Sequence, residues 1–278
     1  MTREQELKSK ILDKKDIKSI DENILNKIYF EEKKKNKDLF EKVKEKKFNS
    51  KSKEYKEFVK IVRKKLREIY GVFFKNPFSP FQKKKLLESL DEKTIDKILL
   101  SHVSTKERFE YFEEVYRKIF LVTGVPKKVL DLGCGFNPFS YFKIGKEVEY
   151  IASDISQENM NFINEFFKLK KIKGKTLAAD LTDEKDVKKI SDISNDCEVV
   201  FMFKLLDSLE SIKKKSSEFL LTNIKSKYVV VSFPKESISG KNKIKSERIW
   251  FKKILEKNYK TTSFRIGPEE YNILTLKN

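Results

Sequence analysis

The run Asp131-Leu132-Gly133-Cys134-Gly135-Phe136-Asn137-Pro138 holds residue types at spacings that could do chemistry. Two glycines one residue apart let a backbone turn tightly and come close to a ligand, and an acid directly before them suits a ligand that carries positive charge. Pro138 stands where a dinucleotide-binding loop has its third glycine, which counts against NAD and its pyrophosphate. Two more acids, Asp154 and Asp180, lie near the ends of the next two β-branched runs. A carboxylate at Asp154 can accept hydrogen bonds from both hydroxyls of a ribose. One at Asp180 can accept from an adenine amino group while the Leu181 amide donates to the ring. Taken singly, each of these residues reads first as a helix cap or turn former. Three together, beside a Gly-Cys-Gly loop, point to a nucleoside, and the acid before the loop selects S-adenosylmethionine with its ammonium and sulfonium charges.

These acids need a scaffold that brings strand ends together. Short β-branched runs at 129–132, 149–155, 176–181, 198–203 and 228–233 alternate with helical segments, the pattern of buried parallel strands in βα order. Runs at 261–266 and 271–276, separated by Gly267-Pro268, read as a closing hairpin. The fold class expected is α/β, a seven-stranded Rossmann-like sheet of the class I methyltransferase kind, preceded by an all-helical domain. Up to about residue 100 apolar residues recur at spacings of three and four, as in Phe58, Ile61, Val62, Leu66, Ile69 and Tyr70. Ser104-Thr105-Lys106-Glu107 has capping-box spacing and should open one amphipathic helix to about Val122. A domain boundary is therefore expected at residue 100, giving a helical domain over 1–100 and a catalytic domain over 101–278.

The 278 residues include 62 basic and 43 acidic side chains, a formal charge of +19. Residues 1–100 hold 29 of the bases and 18 of the acids, so the helical part is the more cationic per residue. Such a field concentrates a polyanion, and nucleic acid is the partner it suits, the alternative being a lysine-rich solvated surface. With 38% hydrophobic residues and 23 Phe, the chain has material for a core. No apolar run approaches the ~18 residues of a membrane span, and the start lacks the apolar stretch of a secretory signal, so a cytoplasmic monomer is expected. Two cysteines and one histidine cannot build a disulfide framework or a Cys/His zinc site, and no metal is expected. Cys134 has no companion base and reads as a small loop filler, and His102 as a loop or capping residue.

The sequence resembles the Arm/Rmt family of aminoglycoside-resistance 16S ribosomal RNA methyltransferases. The likeness runs from Lys64-Lys65-Leu66-Arg67-Glu68-Ile69-Tyr70-Gly71 to near the C-terminus. It is most specific at His102-Val103-Ser104-Thr105-Lys106-Glu107-Arg108, at Asp131 to Pro138, at Phe203-Lys204, and at Ser232-Phe233-Pro234-Lys235-Glu236-Ser237-Ile238-Ser239-Gly240-Lys241-Asn242. The resemblance implies methylation of a decoding-site guanosine at N7 on the assembled small ribosomal subunit. It further implies that Arg108 pairs with the cofactor carboxylate, that Gly133 and Gly135 line its methionine and ribose portions, and that Asp154 and Asp180 hold ribose and adenine, beside Asp131 and Leu181 as read above from the residues themselves. The basic helical extension would dock on the subunit.

Guanine N7 carries a free lone pair, so in-line attack on a sulfonium methyl group needs no general base and catalysis is mostly positioning. Lys204 and Lys241 are the candidates to hold the target phosphate or base edge, against the alternative of solvated surface. A base drawn from its stack needs a flat apolar rest, for which Phe233 and Phe136 are the candidates, the alternative being core. Two other functions remain open at this point: methylation of another ribosomal or transfer RNA position, and a non-catalytic RNA-binding assembly factor.

Overall fold

A computed structural model describes residues 2–14, 17, 20, 22–67, 78–235 and 248–277. Contacts divide the chain into two compact units, Met1–Gln82 and Lys83–Asn278. In the first, helices α1 (Arg3–Leu12), α2 (Glu22–Lys35), α3 (Lys37–Glu45) and α4 (Lys53–Leu66) surround a small core. The Thr2 hydroxyl accepts from the Gln5 amide at 3.2 Å and the Gln5 side chain accepts from the Thr2 amide at 2.6 Å, a capping box that starts α1. Ser52 caps α4 by accepting from the Tyr55 amide at 3.2 Å. Phe58, Val62 and Leu66 recur on one face of α4 and are fully buried. The Phe58 ring lies 5.8 Å from that of Tyr29 and 5.1 Å from that of Phe40. Burying each such side chain gives roughly 1.5–3 kcal/mol, enough to hold helices too short to persist alone.

The division falls across the first turn of α5 (Pro80–Glu88), earlier than the boundary expected at residue 100. The second unit continues with α6 (Glu92–Ser101), α7 (Val103–Arg108), a 3₁₀ turn Phe109–Tyr111 and α8 (Phe112–Thr123). The sheet and its helices follow as β1 (Lys128–Leu132), β2 (Glu149–Asp154), α9 (Gln157–Leu169), β3 (Gly174–Ala178), α10 (Glu184–Ser194), β4 (Val199–Phe203), α11 (Leu206–Ile212), α12 (Ser216–Asn223) and β5 (Tyr228–Pro234). After these come α13 (Ile249–Asn258), β6 (Tyr259–Ile266) and β7 (Glu269–Leu276). Residues after Gln82 belong with this unit because they pack on it: the buried Lys83 ammonium donates to Glu158 at 2.6 Å and Asn159 at 2.7 Å on α9, and Ile98 and Leu99 of α6 are buried.

The sheet order is β3-β2-β1-β4-β5-β7-β6, parallel through β5, with β7 antiparallel to β5 and β6 antiparallel to β7. β4 is buried along its whole length, as a strand inside a parallel sheet with both faces covered must be. The order reverses between β1 and β4, and a crevice at the carboxyl ends beside such a reversal is where open α/β sheets bind ligands. The expected class I methyltransferase sheet and its closing hairpin are both present.

Two local expectations need correction. β3 begins at Gly174, earlier than the run expected at 176–181, because it pairs with β2 from Tyr150↔Gly174 onward. A side chain at Gly174 would meet the Tyr150 carbonyl oxygen at 2.7 Å, so only glycine lets the strand start there. The chain leaves the sheet after Ala178, which puts Asp180 in the following loop. Ser104-Thr105-Lys106-Glu107 is no capping box: His102 is the N-cap of α7, Thr105 Oγ1 donates back to the His102 carbonyl at 3.1 Å, and Glu107 is paired elsewhere. The expected single helix is α7 and α8 with the 3₁₀ turn between. Among the described residues no helix is long and apolar enough to cross a membrane.

Candidate active site

β1 delivers Asp131 to the carboxyl edge, and the chain then turns through Gly133 (φ +60°) and Gly135 (φ +51°), a left-handed backbone that favours glycine. Side chains there would also collide: a Cβ on Gly133 would sit 2.5 Å from Leu205 Cδ1, and one on Gly135 2.7 Å from His102 Nε2. The Gly135 amide donates to Asp154 Oδ2 at 3.0 Å, and the Ser156 amide to Asp154 Oδ1 at 3.3 Å. The tips of β1 and β2 are thereby tied together. Each Asp154 oxygen keeps acceptor capacity, and the side chain is half-buried. Asp180 Oδ1 accepts from the Thr182 amide at 2.9 Å and hydroxyl at 2.6 Å in the loop after β3, beside the buried Leu181.

Asp131 is 1% exposed, and its Oδ2 accepts from the Tyr150 hydroxyl at 2.6 Å and from Asn137 Nδ2 at 2.9 Å. Oδ1 is buried without a hydrogen-bond partner. Burial pushes this carboxyl up to about 6, although Tyr150, Asn137 and the Arg108 charge act the other way.

Arg108 is 2% exposed, not a surface charge. Its Nε donates to the Tyr271 hydroxyl at 3.1 Å, Nη1 to Asn137 Oδ1 at 3.1 Å, and Nη2 to Glu269 Oε1 at 2.7 Å. The guanidinium also lies 4.5 Å from the Phe203 ring centroid. Asn137 joins the two charges, since a guanidinium only donates and so must face the amide oxygen, leaving the nitrogen for Asp131. Glu269 is buried, and burial pushes its carboxyl up, but the Arg108 and Lys204 charges outweigh this and hold it below the usual range. Arg108 retains one Nη1 hydrogen beyond these bonds, and Asp131 retains Oδ1. A buried donor on a cation and a buried acceptor on an anion, bridged by one residue, match the carboxylate and ammonium of an amino-acid moiety.

Other expected site residues are placed differently. Phe136 is fully buried among Phe139, Phe162 and His102, and Phe233 is 2% exposed against Phe251 at 4.8 Å and Arg248 at 4.2 Å. Both are core, and neither offers the open face a base platform requires. Lys204 is 8% exposed, with Nζ ion-paired to Glu107 and 3.7 Å from Glu269 Oε2. It is not an open phosphate holder. Lys241 lies outside the described residues. His102 is buried against the glycine turn, and burial with the nearby Arg108 and Lys204 charges lowers its pKa to about 3. Glu107, Asn137, Tyr150, Glu269 and Tyr271 escaped the sequence reading. Asn137 stood inside the glycine-loop motif and Glu107 inside the His102–Arg108 motif, whereas nothing local marks Glu269 and Tyr271, which act only through distant partners.

The model of the ribosomal RNA methyltransferase family FmrO matches residues 36–258. Curated relatives include a 16S rRNA (guanine(1405)-N(7))-methyltransferase of Proteus mirabilis, 32% identical over an alignment of 209 residues, with 67% of this chain and 71% of that protein covered. One of the same name from Micromonospora echinospora is 27% identical, covering 66% and 69%. Among solved structures, the 16S rRNA methyltransferase RmtF in complex with S-adenosyl-L-homocysteine aligns with a TM-score of 0.73 over 100% of this chain and 99% of that one, at 20% identity, a likeness of fold. The 16S rRNA methylase ArmA aligns with a TM-score of 0.57 at 27% identity, covering 70% of this chain and 98% of that one.

Proposed function

The chain belongs to the FmrO family of ribosomal RNA methyltransferases, and from that premise we propose that it methylates N7 of a guanosine in 16S ribosomal RNA, in the decoding region of the assembled small subunit, using S-adenosylmethionine. The match across residues 36–258 carries this reading, because it takes in much of the basic helical unit as well as the five parallel strands β1 to β5. The protein would act in the cytoplasm as a monomer, with the exposed lysines of the helical unit engaging RNA phosphates. By the same reading its modification would protect the ribosome from aminoglycosides.

The cofactor supplies an electrophilic methyl group on a sulfonium. Arg108, with one Nη1 hydrogen left over, would hold its carboxylate, and Asp131, with Oδ1 unpartnered, would hold its ammonium. Asp154 would accept from the ribose hydroxyls, and the Asp180-Leu181 loop would meet the adenine. Gly133 and Gly135 let the backbone approach where any side chain would collide. No residue needs to remove a proton, because the N7 lone pair is free, and this agrees with a lone histidine whose pKa lies near about 3. The buried pairs of Arg108 with Glu269 and of Asn137 with Asp131 hold their groups before binding, so the chain contributes mainly by positioning. The test is to incubate isolated small subunits with labelled cofactor and cleave the RNA with borohydride and aniline. Chain scission at one decoding-region guanosine is expected. A methylated adenine or an exocyclic methylamine instead would remove the guanine-N7 assignment.

A further inference from the structure

We propose that Glu107 is a specificity-determining residue, its carboxylate accepting two hydrogen bonds from N1–H and the exocyclic amine of the target guanine. The inference rests on the guanine-N7 reading above. The cofactor residues Gly133, Asp154 and Asp180 sit at the tips of β1 and β2 and just beyond β3. The other half of the carboxyl edge, across the strand-order reversal, holds Lys204 after β4 and Ser232 in β5. Lys204 has φ +55°, a left-handed backbone uncommon for a residue with a side chain. Its amide donates to both the carbonyl and the hydroxyl of Ser232 at 3.1 Å, which fixes it in that conformation. Nζ is then held beside two carboxylates, ion-paired with Glu107 and 3.7 Å from Glu269.

Exposure decides which member of the pair a substrate meets: 26% of the Glu107 side chain is accessible against 7% of Lys204. The carboxylate is the outer group and the ammonium its backing. Two carboxylate oxygens match the two adjacent donors on guanine's Watson–Crick edge, and adenine is refused because it offers an acceptor at N1. That edge lies across the purine from N7, so a guanine gripped there leaves its N7 lone pair uncovered. The methylated base is cationic, and a fixed carboxylate against it stabilises the charge that develops during transfer.

The experiment compares the full-length wild type with Glu107→Gln, which keeps the shape but turns one acceptor into a donor facing the guanine amine. kcat/KM on isolated small subunits should fall about 10- to 100-fold, the effect of losing a hydrogen bond to a charged group, while cofactor affinity by calorimetry stays as in wild type. A double variant, Glu107→Gln with Lys204→Met, tests whether Glu107 merely neutralises Lys204. Recovery of wild-type kcat/KM in the double variant would overturn the proposal, and activity no better than that of the single variant supports it. Unchanged activity of the single variant, or a parallel loss of cofactor affinity, also overturns it. Wild-type protein that modifies a different atom would instead defeat the guanine-N7 reading itself.

Discussion

Replacing Asp131 by Asn should weaken cofactor binding while leaving the ligand-free protein as stable as before, or more so. The side chain is 1% exposed and one of its oxygens has no partner, so the charged form is disfavoured and the carboxyl titrates at about 6. Against an ordinary carboxyl near ~3.9, that displacement corresponds to about 3 kcal/mol at neutral pH. Because the folded group titrates above the unfolded one, its contribution to stability is fully present below about pH 4 and is lost as pH rises through about 6. The Asn side chain keeps the acceptor used by Tyr150 and Asn137 and leaves an amide whose unmet donors cost roughly 1–3 kcal/mol. The variant should therefore match the wild type at neutral pH or exceed it by up to about 2 kcal/mol, and its stability should no longer change between about pH 4 and 6 on this account.

Cofactor binding gives the complementary signal. At about pH 5 only about one Asp131 carboxyl in ten is ionised, so wild-type affinity for S-adenosylmethionine should be about tenfold weaker there than at pH 7. Binding should release a proton on the acid side. The amide introduced by Asp131→Asn does not titrate, so the variant's affinity should be flat across this range and about 1.5–3 kcal/mol weaker at pH 7. Calorimetry in buffers of different ionisation enthalpy, with urea unfolding at the same pH values, measures both effects. Wild-type affinity that is equal at pH 5 and 7 without proton exchange, or a variant that loses several kcal/mol of stability, would refute the reasoning.

Three further outcomes are expected. Arg108→Ala strands the buried Glu269 carboxylate and should cost about 3–5 kcal/mol of stability; adding Glu269→Gln should restore much of this and none of the cofactor affinity, and a single variant that melts like wild type would contradict the buried pair. Reversing the exposed Lys34, Lys37, Lys56 and Lys60 to Glu should weaken small-subunit binding and flatten its log–log salt dependence by about 0.9 for each phosphate no longer neutralised, with cofactor affinity unchanged; an unaltered slope would place docking elsewhere. At saturating cofactor the single-turnover rate should vary less than about threefold between pH 6.5 and 8.5, because His102 titrates near about 3 and burial pushes the Cys134 thiol up; a rate following one ionisation in that window would require a base.

The parallel sheet was legible because buried strands write themselves as continuous β-branched runs, and the glycine turn because only glycine tolerates its backbone. Asp131 and Asp154 were placed at the ends of β1 and β2 because each closes a β-branched run, whereas Asp180 falls in the loop beyond β3. What escaped were choices settled by three-dimensional partners. Nothing in the sequence around Lys204 reveals that Glu107 covers it, and a Phe destined for the core at 136 or 233 is spelled like one that stacks on a base. The failed capping box at Ser104 teaches the same lesson, since Glu107 satisfied the local rule and was taken by a residue 97 positions along, at the end of β4.

The Arg108–Glu269 pair joins positions separated by 161 residues, and Tyr271 lies farther along still. During synthesis the glycine turn, Asp154 and Asp180 all emerge well before the strand that bears Glu269. Until β7 pairs with β5, Arg108 has no buried counter-ion and its guanidinium has no reason to leave water. A growing polypeptide therefore holds the glycine turn and both acids yet lacks the residue that fixes Arg108, and such late, sequence-distant pairing is slow to form. The buried Arg108 network is complete only with the last hairpin, so a chain cut short of it, whether by premature termination or by a protease, is left with a guanidinium that has no counter-ion from β7.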